Sequence, residues 1–185
     1  MKILLLTAVL AGLAGPALGQ IPQAPFPLTY VPSVPARIEG MPRDLPRAKG
    51  PSLNYAIQLA KAAVDECAVK GERVSVLVTD SVGEPVVLLS GDGAGTRSQL
   101  ITSTKAAAVV KYRMSSGELA KKARADPQFA AEVAANPNIG TIRAGALLLT
   151  SGTELIGALA VSGSRKSMDN DEACAQAALA KVPLK

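Results

Sequence analysis

Val74-Ser75-Val76-Leu77-Val78-Thr79-Asp80-Ser81-Val82-Gly83-Glu84-Pro85-Val86-Val87-Leu88-Leu89 is the most informative stretch of this chain. Val74, Val76 and Val78 alternate inside an almost continuous apolar run, as a strand does. Asp80-Ser81-Val82-Gly83 supplies turn residues, and Pro85 to Leu89 a second strand, so the stretch reads as a β-hairpin. A second pair follows near the C-terminus. Ala146 to Thr150 and Leu155 to Val161 are joined by Ser151-Gly152-Thr153-Glu154. Two hairpins imply an antiparallel sheet.

Helices surround these hairpins. Ser52 caps a helix from Leu53 to Lys70, where Leu53, Ala56, Ile57, Ala60, Ala63, Val64 and Cys67 form one apolar face. Gly71 ends it in the left-handed position that glycine favours. A helical insert separates the hairpins: Arg97 to Tyr112, Gly117 to Arg124, and a helix from Asp126-Pro127 to about Asn136-Pro137. Asp169 or Asn170 caps a last helix that runs to about Val182. The fold class is α/β of the α+β type: an antiparallel sheet of two hairpins flanked by N- and C-terminal helices. Those two helices are free to cover one face.

The chain before this domain divides in two. Met1-Lys2 precedes an apolar run from Ile3 to Leu13, and Ala17 and Gly19 stand at −3 and −1 of a cut before Gln20. That layout is a cleaved signal peptide over residues 1–19. The apolar run is too short for a membrane span, and no Cys near the cut offers a lipid anchor. The expected location is therefore periplasmic or secreted, with no stable membrane anchor. Residues 20–50 carry Pro22, Pro25, Pro27, Pro32, Pro35, Pro42 and Pro46 and read as an extended arm or linker. Residues 51–185 form the domain.

Composition excludes several chemistries. The chain has no histidine, which removes Ser-His-Asp and Cys-His catalysis and most zinc sites. The net charge is +5, with basic residues scattered and aromatics at 3%, so nucleic-acid binding has little support. Cys67 and Cys174 are the only cysteines. In an exported protein they can form one disulfide if the first and last helices run antiparallel on one face.

Two glycine-containing segments are candidate ligand rims. Gly91-Asp92-Gly93-Ala94-Gly95 lies between a strand and a helix. Its backbone N–H groups can cradle an anion, although tight turning is the simpler role, and no Gly-Lys-Ser/Thr ending is present. Val161-Ser162-Gly163-Ser164 ends the last strand in the same way. Asp65, Glu66 and Glu72 read as a solvated face, and Asp169, Asp171 and Glu172 as favourable charges at a helix start. Arg97, at the mouth of the glycine loop, is either an anion contact or a solvated surface charge.

In this order the residues resemble the GlcG/HbpS-like haem-binding proteins. The resemblance rests on the hairpin, the Gly91–Gly95 loop, Lys105-Ala106, Glu118-Leu119-Ala120, Ile156-Gly157-Ala158-Leu159-Ala160-Val161-Ser162-Gly163 and Asp171-Glu172-Ala173-Cys174-Ala175. It covers about Leu53 to Val182. It implies a haem or tetrapyrrole ligand and a homo-oligomer. The chain departs from the family at Thr96-Arg97-Ser98, where many exported relatives carry a proline and a histidine, and at Ala107, where relatives often carry a tyrosine. With no histidine to hold iron, Tyr112, Met114 or a cysteine remain as ligands, although Tyr112 and Met114 read more simply as packing residues.

The candidate ligand-binding set is Gly93, Gly95, Thr96, Arg97, Lys105, Tyr112, Ser162 and Gly163, with basic side chains pairing to haem propionates. The expected function is that of an exported haem or tetrapyrrole binder without enzymatic activity. The alternatives are a binder of a small anionic molecule or an accessory protein without haem, and, on family analogy alone, a haem-degrading enzyme.

Overall fold

The computed structural model describes residues 46–165 and 167–184. The expected signal peptide and the arm as far as residue 45 lie outside the described residues. The elements run α1 (Leu53–Val69), β1 (Ser75–Thr79), β2 (Pro85–Ser90), α2 (Thr96–Tyr112), α3 (Ser116–Ala125), α4 (Pro127–Ala134), β3 (Ala146–Ser151), β4 (Glu154–Ser162) and α5 (Met168–Lys181).

The four strands form one sheet in the order β2-β1-β4-β3, with every neighbouring pair antiparallel. The two hairpins join through β1 and β4. This explains the unbroken apolar run in β1. A central strand covered on both faces buries every residue, and all five residues of β1 are buried, whereas edge strand β2 is partly exposed throughout.

One face of the sheet presents Val76, Val78, Leu159 and Val161 to α1 and α5. The other presents Leu77, Ala158 and Ala160 to Ala106 and Val109 of α2. Alanines line both helix contacts: Ala56, Ala60 and Ala63 of α1 and Ala175 and Ala178 of α5 are fully buried. With few aromatic rings, close approach of small side chains fills the interior. A satellite core of Leu119, Phe129, Val133 and Ile139 fastens α3 and α4 to Ala108 of α2.

Cys67 and Cys174 are bonded, with their Cα atoms 5.5 Å apart. The helices that carry them run antiparallel: Tyr55, near the start of α1, donates its hydroxyl to the Val182 carbonyl just beyond α5 at 3.1 Å.

The structure corrects two sequence expectations. Helix α5 begins at Met168, ahead of both expected caps, and Asn170 instead lies inside it with its amide donating to Glu72. Glu72 is not on a solvated face. It is 5% exposed and also accepts the Arg165 N–H at 2.9 Å, which fixes the β4–α5 loop. The described end of the proline-rich segment contacts the domain: Ser81 N–H donates to the Lys49 carbonyl at 2.8 Å, and Lys49 pairs with Glu154.

Asp126 caps α4 by accepting the Phe129 N–H at 3.0 Å, with Pro127 in the first turn. Asp126→Ala is expected to lower stability by about 1 kcal/mol, read from the urea midpoint.

Candidate functional site

Antiparallel topology brings four chain segments to one end of the sheet. Ser75 opens β1 and pairs with Ser90, which closes β2, and with Ser162, which closes β4. Ala146, which opens β3, pairs with Ala160 of β4. Arg73 before β1, the glycine loop after β2, Arg143 before β3 and Ser162 to Arg165 after β4 therefore meet. The start of α2 joins them, because Ser98 of its first turn shares a 2.7 Å hydrogen bond with the Ser75 hydroxyl.

These segments enclose an open cavity of about 340 Å³. Gly93, Gly95, Arg97, Lys105, Ser162 and Gly163 of the sequence-derived set line it. Thr96 starts α2 beside it but is not part of its lining. Tyr112 lies at the other end of α2. Its ring meets Phe129 edge-on at 5.2 Å and its hydroxyl meets Glu132 at 3.1 Å, so it is a packing residue of the satellite core.

Sequence reasoning missed Arg73, Arg143 and Arg165, which also line the cavity, as does Ser164 of the expected rim segment. The available signal was strand order. In an antiparallel sheet, residues before β1 and β3 must share an end with residues after β2 and β4.

Lys105 plays a different part from the one expected of it. Its ammonium is buried and donates to the Val161 carbonyl at 2.7 Å and to the Asp171 carboxylate at 2.8 Å. Burial pulls its pKa below the ordinary lysine value, and the neighbouring Asp171 opposes that shift. Lys105 is thus internally satisfied and anchors the cavity floor. Asp171 is likewise no simple helix-end charge. It is 3% exposed, and its second oxygen accepts the Ser164 N–H at 3.0 Å.

Gly145 packs onto this pair. Its φ of +125° suits glycine, and a Cβ there would lie 2.6 Å from the Lys105 ammonium. Gly163 does the same on the rim, with φ +134° and the Arg73 carbonyl 2.5 Å from where a Cβ would stand.

The remaining charge is positive and uncommitted. Among the described residues, the guanidinium groups of Arg73, Arg97, Arg143 and Arg165 form no ion pair. Asp171 is the only acidic residue among the described residues of the lining, and Lys105 neutralises it. Helix α2 adds its positive end: Gly95 at the N-cap offers no side-chain acceptor, and no acid stands in the first turn. Finally, the buried Ser164 hydroxyl has no hydrogen-bond partner. The arrangement suits an anion with several oxygens, above all a carboxylate, which arginine binds through two parallel hydrogen bonds.

Comparisons with known proteins agree on the family. The model described as "Haem degrading protein HbpS-like" matches residues 52–180. The crystal structure of HbpS is 30% identical with a TM-score of 0.66, covering 76% of this chain and 96% of its own. A double mutant of HbpS from Streptomyces reticuli is 28% identical with a TM-score of 0.66, covering 84% of this chain and 99% of its own. PduOC, crystallised as a haem complex, shares the fold at 24% identity and a TM-score of 0.65, over 74% of this chain and 97% of its own. No curated protein matches the chain at a significant level. With the family model spanning nearly the whole domain, this chain belongs to the HbpS-like family.

Proposed function

We propose that this chain is an exported, non-enzymatic protein that binds a haem-class tetrapyrrole by its carboxylates at the basic end of the sheet. The observation that carries the reading is the convergence of four arginines without ion-pair partners on one cavity. Family membership supplies the ligand class, and the haem complex of PduOC supports it. Export draws its support from the signal-like sequence of residues 1–19 and from the cystine, which persists in oxidising compartments.

The lining fits one half of haem and not the other. Guanidinium groups and a helix N-terminus suit propionates. Haem iron is held by an imidazole, thiolate, thioether or phenolate, and the described residues of the lining offer none of these. Both cysteines are consumed in the disulfide. This mismatch favours a second reading, a small anionic molecule without a tetrapyrrole ring.

Hemin titration of the mature protein, followed at the Soret band, separates the two. Saturable binding is expected in the micromolar range. Arg97→Ala and Arg143→Ala are each expected to weaken it by about tenfold, the loss of one charge-assisted contact. Tyr112→Phe should leave it unchanged. An unsaturable titration of the wild type removes the tetrapyrrole reading and leaves the small anion. Wild-type affinity in both arginine variants removes this cavity as the site.

A further inference from the structure

We infer that the tetrapyrrole is recognised without an iron bond, and that Ser164 and the first turn of α2 receive one of its carboxylates. The inference rests on the tetrapyrrole reading and adds how the ligand is selected.

Ser164 carries the argument. Its hydroxyl oxygen is buried and has no hydrogen-bond partner, a costly state that proteins rarely keep. A loose loop does not account for it. The Ser164 N–H is held by Asp171 at 3.0 Å, and the next N–H, of Arg165, by Glu72 at 2.9 Å. The loop is thus fixed around an unsatisfied hydroxyl carried by a residue of the cavity lining. A ligand oxygen is the partner that the cavity lacks.

The start of α2 points to the same ligand. Its first N–H groups have no acceptor from the N-cap side chain, and Arg97 and Ser98 place that turn in the lining. An incoming carboxylate would answer the hydroxyl, the helix end and the arginines together.

Iron has no matching partner among the described residues of the lining. Tyr112, the phenol on α2, closes the far end of that helix, about 24 Å from Thr96 at helical rise. Selection must then come from charge and oxygen geometry, and a metal-free porphyrin with free carboxylates is an equal ligand.

The test titrates the full mature protein with hemin, metal-free protoporphyrin IX and the dimethyl ester of that porphyrin. Hemin and the metal-free acid are expected to bind within about threefold of each other, and the ester about tenfold or more weakly. Ser164→Ala is expected to weaken both acids about fivefold while leaving the melting temperature of the unliganded protein unchanged or raised, since it deletes an unpaired group.

Hemin binding about thirtyfold tighter than the metal-free acid would mean iron ligation, which overturns the inference and leaves the tetrapyrrole reading standing. Ester binding equal to the acid overturns carboxylate recognition. A Ser164→Ala variant that melts lower with unchanged affinity makes the hydroxyl structural and overturns its role. Binding of neither acid overturns the tetrapyrrole reading itself.

Discussion

Lys105→Met is expected to cost about 3–5 kcal/mol of folding stability, because it strands a buried carboxylate. Asp171 is 3% exposed, and Lys105 is its only cationic partner among the described residues. Urea unfolding measures the loss. Pairing the change with Asp171→Leu should recover much of it, since removing both charges leaves neither uncompensated. Recovery stays incomplete because Asp171 also holds the Ser164 N–H. If Lys105→Met alone unfolds like the wild type, the pair does not anchor the cavity floor.

The same residue gives the domain a pH signature. Burial lowers the Lys105 pKa in the folded protein, with Asp171 opposing the shift. Between that lowered value and the ordinary lysine value, the unfolded chain binds more protons than the folded one. Stability contributed by Lys105 therefore rises with pH across this window. Relative to Lys105→Met, the wild type should gain stability through the alkaline range. A relative loss there would show that the ion pair outweighs desolvation.

Removing the disulfide with Cys67→Ala and Cys174→Ala is expected to cost about 4 kcal/mol, from the loop entropy of a long closed segment. The bridged residues stand 107 positions apart and enclose most of the domain, so the unfolded chain is strongly constrained. Both sulfurs lie in the α1–α5 interface, where alanine leaves only a small void. Urea midpoints with and without reductant should differ for the wild type and coincide for the double variant. Two titratable thiols in the native protein would contradict the bridge. The disulfide also affects the site, because Asp171 precedes Cys174 by one helical turn on α5. Reduced protein should bind ligand more weakly as α5 loosens.

The sheet was legible in the sequence because its strands obey simple rules. The alternation of Val74, Val76 and Val78 and the turn at Asp80–Gly83 have direct local causes. Helix limits were legible to within a residue or two where a local cap exists, as at Ser52 and Asp126. The start of α5 was not, because long-range bonds from Asn170 and Arg165 to Glu72 shape that loop.

The candidate site was half legible. Glycines and Arg97 stood beside an obvious loop. Arg73, Arg143 and Arg165 lie far apart in sequence and are brought together only by strand order. Lys105 and Asp171 could be read as surface charges because nothing local shows that they bury each other, 66 residues apart. The family resemblance groups Tyr112 with the ligand set. Helix length alone places it at the opposite end of α2.

The central claim is that ligand enters the basic end of the sheet. Hydrogen–deuterium exchange of the mature protein, with and without metal-free protoporphyrin IX, tests it most directly. Protection is predicted in peptides covering residues 91–98 and 162–165, with none around Tyr112. Protection confined to α3 and α4, or to the cavity beside Tyr55 and Val182, would contradict the claim.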